Sequence, residues 1–373
     1  KILQMKDSIN FKKTNIRRCW FTRSAEDVFQ EVKHQQDYLK AKKPRTFDFT
    51  TMYTCLPHER IIKNLKIAIE EAQEFARKYN STEASKGNLI GQNIGTVNLL
   101  MDHVKFIVSN TYFYSGDGLL RHQEIGIPMG TNCAPELANL TLYVDEAKFI
   151  DALIAEGKYE EAMEHASNFR YIDDVLCWGV EPPSPSLYGL DWTETTEKDG
   201  SVTYLGAKIQ IKNGQVMLSV FDKAIEWPFD IIRYPHADSN VPYHQPAGVI
   251  QGQLQRYRTI CNSFSAFKFA TTQLVLRMLS RGHRPAVIMK GWNAHLMKFN
   301  NDRITNYTRL RHWFRRMLQW AIHNPLQKKQ QQIWRPKSKN DGAIPNKNIE
   351  PSTQIEVEKE STVEPNFSKN SQS

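Results

Sequence analysis

Cysteine is scarce and scattered: five residues in 373, at Cys19, Cys55, Cys133, Cys177 and Cys261, with no Cys-x-x-Cys pair among them. That spacing argues against a disulfide framework and a structural zinc site, and for a reducing, intracellular setting, nuclear or cytoplasmic. Long apolar runs are missing too. None approaches the ~18–20 uncharged residues of a membrane span, and the N-terminus shows no signal-peptide pattern, so no membrane partner is expected. No Gly-Lys-Ser/Thr closes a glycine-rich loop, which excludes a Walker A nucleotide site. No internal repeat is present. The chain starts on Lys1 rather than methionine and reads as a fragment of something longer.

The most localised shortage is of acid. Residues 241–340 hold eighteen Lys and Arg against one acid, Asp302, a local charge of +17 in a chain whose formal total is +9. The remainder is therefore −8. Tyr257, Phe264, Phe267, Trp292, Tyr307, Trp313, Phe314 and Trp320 are interleaved with those cations. Basic residues mixed with aromatics at this density read as a phosphate-binding surface. The alternative is a solvated helical face that meets no polyanion. Elsewhere the composition is ordinary: 40% hydrophobic and 11% aromatic residues suffice to bury the cores of two or three packed units.

Periodicity orders the chain. Ser24 is a helix N-cap before Ala-Glu-Asp, with Val28, Val32 and Tyr38 following and Pro44 as the stop, which predicts a helix over 24–42. The β-branched and aromatic run 45–53 predicts a strand. Helices are expected over 58–79, through Ile61, Ile62, Leu65, Ile69 and Phe75, then near 95–110 and over 134–154. A hairpin is expected about Tyr114–Gly118, and a strand–turn–strand over 168–180. The Pro-rich stretch 181–185 reads as a loop. A turn at Lys198-Asp-Gly-Ser leads into a strand from Val202 to Ile211, and Asn213-Gly214 returns the chain through Val216 to Phe221. The basic window reads as helices over 246–281 and 303–322, and residues 336–373 as disordered.

Three segments carry chemistry. In Thr46-Phe-Asp-Phe-Thr, a strand places Phe47 and Phe49 on one face and Asp48 on the other. The carboxylate then sits at the edge of a core, where it is costly unless paired or metal-bound. Alone, it reads first as a capping or solvent-facing aspartate. In Tyr171-Ile172-Asp173-Asp174, two adjacent carboxylates at a tight turn repel each other, and a divalent cation offsets that repulsion. Asp-Asp pairs are also common in plain turns. Gly126-Ile-Pro-Met-Gly130-Thr-Asn-Cys-Ala-Pro135 is a glycine loop, stiffened by Pro128 and Pro135, that feeds a helix. It lets backbone approach a phosphate or a base pair, or it is an ordinary turn before a helix.

Together and in that order, the three are far more specific. Thr46-Phe-Asp-Phe-Thr-Thr-Met-Tyr-Thr-Cys-Leu-Pro resembles motif A of reverse transcriptases, Gln123–Pro135 resembles motif B, and Tyr171-Ile-Asp-Asp resembles motif C. Their wording, with His58 after Leu-Pro, is most similar to Penelope-like retroelements, relatives of telomerase reverse transcriptase. The match runs from about residue 24 to 300. The resemblance implies an α+β fold with a right-hand polymerase palm, an antiparallel sheet with packed helices, over 45–235. A basic, mostly helical thumb would span 236–327, a truncated fingers segment 1–44, and a polar, disordered tail 328–373. The implied activity is that of an RNA-directed DNA polymerase, extending a DNA primer on an RNA template with dNTPs and two Mg²⁺ ions, or Mn²⁺ in their place.

The same resemblance assigns roles. Asp48, Asp173 and Asp174 would be catalytic metal ligands, completed by the Phe49 carbonyl. Tyr53, five residues after Asp48, holds the place of a steric gate against a ribose 2′-hydroxyl; a core tyrosine reads equally well. Gln123, Gly130 and Asn132 would meet the incoming nucleotide and template. Tyr171 and the hairpin Tyr204-Leu205-Gly206 would meet the primer, and Arg256, Arg258, Lys268 and Arg277 the duplex backbone. Lys198 stands for the motif D lysine or for a plain turn lysine. Departures are the few residues before Asp48, with Arg17 and Arg18 as the remnant of basic fingers, and Glu136 where a small or apolar residue is usual. No GIY-YIG endonuclease is evident. Three other functions stay open: a domesticated, non-catalytic nucleic-acid-binding protein that keeps the palm, a palm polymerase preferring ribonucleotides, and a Mg²⁺-dependent nuclease in which motif B has no role.

Overall fold

A computed structural model describes residues 1–83, 89–91, 95–225, 227, 231–298 and 307–325. Residues 303–306 and the tail expected over 328–373 lie outside them. Lys1–Leu326 form one compact unit. Its elements are α1 (Ile2–Thr14), α2 (Ala25–His34), α3 (Gln36–Leu39), β1 (Pro44–Phe49), α4 (Met52–Cys55), α5 (His58–Glu83) and α6 (Val97–Ser109). There follow β2 (Tyr112–Tyr114), β3 (Leu120–His122), α7 (Ala134–Ala155), α8 (Tyr159–Glu164), β4 (Phe169–Tyr171), β5 (Asp174–Trp178), α9 (Pro185–Tyr188) and β6 (Trp192–Glu194). The strands β7 (Val202–Tyr204), β8 (Ala207–Lys212) and β9 (Gln215–Val220) precede α10 (Gln245–Ile260), α11 (Phe264–Ser280), α12 (Pro285–Lys298) and α13 (Tyr307–His323). The architecture is α+β.

One antiparallel sheet, in the order β4-β5-β1-β6, organises the N-terminal two thirds. Side chains alternate across it. Phe47, Phe49, Val175 and Cys177 face a core with Ile61 and Leu65 of α5, Met101 and Val104 of α6, and Leu137 and Leu142 of α7. Burying each of the two phenylalanines contributes about 1.5–3 kcal/mol. Leu176, Trp178 and Phe169 face the other way, onto Val202, Tyr204, Ile209 and Leu218 of the β7-β8-β9 sheet and Val28 and Val32 of α2. The register pairs Phe47 with Val175 and Asp48 with Asp174, so those two acids are cross-strand neighbours on one face.

The helices α10 to α13 enclose their own core, built on Leu254, Phe267, Leu274, Ile288, Trp292 and Phe314. The Trp292 and Phe314 rings stack at 3.8 Å. Gly291 lets α12 lie against the Ala247 carbonyl and Ile250 of α10, where a Cβ would overlap both. Among the described residues, no helix is long and apolar enough to cross a membrane.

Several local expectations change. The strand expected over 45–53 stops at Phe49. Phe49 N–H donates to the Asp173 carbonyl and Thr50 N–H to the Asp191 carbonyl, both at 3.2 Å, and Thr51 then accepts from Thr54 and Cys55 to wind α4. Tyr53 is therefore helical. The strand expected over Val202 to Ile211 folds back at Leu205-Gly206, whose φ values of 48° and 77° make a primed hairpin turn. The helix expected over 246–281 breaks at Cys261–Ser263. Asn262 donates to the Val216 carbonyl at 2.6 Å and accepts from Leu218 N–H at 2.9 Å, while Ser263 caps α11 through Ala266 N–H. Finally, α1 and α12 were not expected; α1 buries only Leu3 and Asp7 and has no apolar stripe to signal it.

Candidate metal centre

The β1–β5 pairing sets Asp48 beside Asp174, and the two-residue turn Ile172-Asp173 carries the third acid to them. Oxygens of all three carboxylates lie within 4.8 Å of one another, and each residue is partly exposed. Among the described residues, no other three His, Cys, Asp or Glu side chains converge in this way. Burial and then the charge of Asp173 raise the pKa of Asp48. Burial, followed by the charges of Asp173 and Asp48, pushes Asp174 up to about 6, against an opposing pull from Lys223. Three hard oxygen donors converging on one point form a donor set that fits a divalent cation such as Mg²⁺ or Mn²⁺.

The electrostatics carry a signed consequence. In the fold the Asp174 carboxyl is pushed up to about 6, from an ordinary 3.8. The metal-free fold therefore gains stability from this group as pH falls from about 6 towards 3.8, and loses it as pH rises through that window. Asp174→Asn should raise the metal-free melting temperature at neutral pH by a few degrees, on the order of 1 kcal/mol after solvent screening at a partly exposed site. It should also abolish any stabilisation by Mn²⁺. Melting curves with and without Mn²⁺ read both effects; a lowered metal-free melting temperature would contradict the repulsion. Apparent metal affinity of the native chain should fall below pH about 6, because binding must then displace the Asp174 proton.

The other sequence-predicted residues fall in distinct places. The Phe49 ring packs edge-on against Tyr188 at 5.0 Å. The Tyr53 side chain is partly buried against the sheet core, and its phenol has its pKa raised by burial and then by the Asp173 and Tyr171 charges. Tyr171 is cross-strand to Asp174. Gln123 donates to the Ile125 carbonyl at 3.0 Å within its own loop. Gly130 has a φ of 98° with open space where a Cβ would project, and Asn132 is exposed. Tyr204 is only 2% exposed, its hydroxyl reaching the Asp174 carbonyl at 3.5 Å, so it supports the site from beneath. Lys198 precedes β7 in a surface turn.

In the helical unit, exposed Arg256 lays its guanidinium against Gly206. Lys268 sits over the Phe264 ring at 4.3 Å and the Trp313 ring at 5.6 Å. Arg258 is half-buried, and desolvation lowers its pKa. Arg277 is paired with Asp222, which also binds Arg233 at 2.8 Å.

Motifs A and B meet through backbone. Ile127 N–H donates to the Tyr53 carbonyl at 2.7 Å, Gly126 N–H to the Leu56 carbonyl at 2.8 Å, and His58 Nε2 contacts the Gly126 carbonyl at 2.9 Å. Gly126 has a φ of 91°, and a Cβ there would overlap the Tyr53 carbonyl oxygen. Gly126→Ala should cost about 2–4 kcal/mol, combining left-handed strain with lost backbone contact. Chemical denaturation measures it; a change below about 0.5 kcal/mol would show that the loop is free of α4.

Sequence reasoning passed over two features here. Lys223 is the cation whose charge reaches Asp174. Beneath the turn, Arg170 of β4 and Glu146 of α7 form an ion pair with both side chains fully buried. Between Asp145 and Lys148, Glu146 has the look of an ordinary helix charge, and it becomes interpretable only with its partner in view.

A family model described as the animal helix-turn-helix domain matches residues 233–293, over α10, α11 and the first part of α12. No curated protein matches the chain. Among solved structures, telomerase from Candida albicans, in complex with a TWJ fragment of telomeric RNA, is 12% identical with a TM-score of 0.42, over 87% of this chain and 52% of that one. The RNA-dependent RNA polymerase of a human picobirnavirus is 13% identical with a TM-score of 0.44, over 78% and 50%. A sicinivirus RNA-dependent RNA polymerase is 12% identical with a TM-score of 0.40, over 74% and 55%. The chain spans about half the length of these proteins.

Proposed function

We propose that the chain is a template-directed nucleotidyltransferase, an RNA-directed DNA polymerase of the retroelement type that its motifs resemble. The observation that carries this reading is the convergence of Asp48, Asp173 and Asp174 on one sheet face, within 4.8 Å, beside a glycine loop hydrogen-bonded to the Tyr53 backbone. A nuclease needs the acids but not that loop. Bound Mg²⁺ or Mn²⁺ would neutralise charge on the transferring phosphoryl group and activate the primer 3′-hydroxyl. The three carboxylates would hold the cations, and Phe47 and Phe49, locked in the core, fix Asp48.

In this reading Tyr53 is the steric gate against a ribose 2′-hydroxyl, and the open face of Gly130 admits a base pair. Residues 45–235 form the palm in this reading, and 236–327 the thumb. The β7–β8 turn with Arg256 against it lies at the primer, and the helical unit, where the helix-turn-helix match falls, holds the duplex by phosphate contacts.

The test is primer extension on RNA and DNA templates with dNTPs or rNTPs. RNA-templated dNTP incorporation is expected, and Tyr53→Ala should raise rNTP use relative to dNTP by about 10-fold or more, the effect of relieving one steric clash. Duplex binding without extension on any template would favour a non-catalytic binding protein. Unchanged sugar selectivity in Tyr53→Ala would return Tyr53 to a purely structural role.

A further inference from the structure

Resting on the metal-centre reading above, we propose that Arg170 is a positioning residue: it fixes Asp173 in ligating geometry by clamping the Ile172 carbonyl to helix α7. Arg170 is entirely buried. Its guanidinium makes five hydrogen bonds. Nε donates to Glu146 Oε1 at 2.5 Å and Nη2 to Glu146 Oε2 at 3.2 Å and to the Asn139 carbonyl at 3.1 Å. Nη1 donates to Asn139 Oδ1 and to the Ile172 carbonyl, both at 3.0 Å. The planar fork of five N–H groups is fully used.

A buried ion pair alone explains little, because well-packed apolar residues generally serve stability as well or better. The third partner is the informative one. Ile172 has a φ of 59°, a conformation that costs a β-branched residue on the order of 1–3 kcal/mol and does not persist unless its surroundings enforce it. Arg170 holds that residue's carbonyl, and Phe49 N–H holds the next one, on Asp173, at 3.2 Å. The clamp is itself anchored: Arg170 N–H donates to the Trp20 carbonyl at 2.8 Å, and its carbonyl accepts from Thr22 N–H at 2.7 Å. Glu146 and Asn139 belong to the helix that begins directly after the Gly126–Cys133 loop. The acid turn and the nucleotide loop are therefore fastened to one rigid body.

Arg170→Lys keeps the charge beside Glu146 but lacks the fork. In the full chain, Mn²⁺ binding, read from the electron paramagnetic resonance of the free ion, should weaken about 10-fold or more, the usual cost of losing a group that orients a ligand. The extension rate should fall while KM for primed template stays within about two-fold. Adding Ile172→Gly should bring Mn²⁺ affinity back to within about three-fold of native, because glycine takes a φ near 59° without strain. A merely structural Arg170 predicts the opposite, with the two changes adding. Should Arg170→Lys not fold, Asn139→Ala leaves the ion pair in place and should weaken Mn²⁺ in the same direction, with the same rescue. Native Mn²⁺ binding that neither variant alters, or that Ile172→Gly fails to rescue, overturns the positioning role. No Mn²⁺ binding by the native chain would instead overturn the metal centre itself.

Discussion

Replacing Asp173 and Asp174 together by asparagine should lower primer extension by about 1,000-fold or more, while leaving the fold and duplex binding intact. Asparagine reproduces the size and shape of each side chain but brings no negative charge. With two of the three acids neutral, Asp48 alone faces any cation, and the set no longer offers the converging charge that phosphoryl transfer requires. The native site stores repulsion, since burial and neighbouring charge hold Asp174 up to about 6. The double variant should therefore melt at a higher temperature than the metal-free native chain. That pairing of higher stability with lost activity separates removal of a metal site from misfolding. Extension within tenfold of native would mean that the acids are not the catalytic centre.

The second large effect concerns the basic helical unit. Arg256→Glu, Lys268→Glu, Arg315→Glu and Arg316→Glu combined should reduce duplex affinity by about 100-fold or more near physiological salt, and should flatten the dependence of log K on log salt by about three to four. Mn²⁺ binding at the acids should not change. Arg277 differs in being held by Asp222, so its reversal would break a salt bridge as well as remove a cation. An unchanged salt slope would place the phosphate-binding surface elsewhere.

The acid cluster is legible in the sequence because its parts are short and local. Alternation about Asp48 sends it away from Phe47 and Phe49, and the tight turn at Ile172-Asp173 leaves two carboxylates with little freedom. Helices α5 and α7 follow from periodicity and length. The rest depends on partners distant in the chain. Tyr53 is helical because carbonyls of Asp173 and Asp191 end the strand before it. The long basic helix breaks where Asn262 is drawn to β9. Leu205 occupies a left-handed turn that local preference would refuse it, and packing against the neighbouring cores overrides that preference. Arg170 and Glu146, separated by 24 residues, each look like surface charges until they are brought together. Net charge misleads in the same way: it counts Arg277 and Arg256 alike, although the first is tied to an acid and the second lies exposed against the β7–β8 turn.

The most direct test of the central claim is single-nucleotide extension of a DNA primer on an RNA template by this chain, with Mg²⁺ and with the metal chelated. Addition of the templated deoxynucleotide only when Mg²⁺ or Mn²⁺ is present, with pyrophosphate released, is the predicted result. Extension that persists after chelation, or none on any primed template at saturating metal and nucleotide, would contradict it.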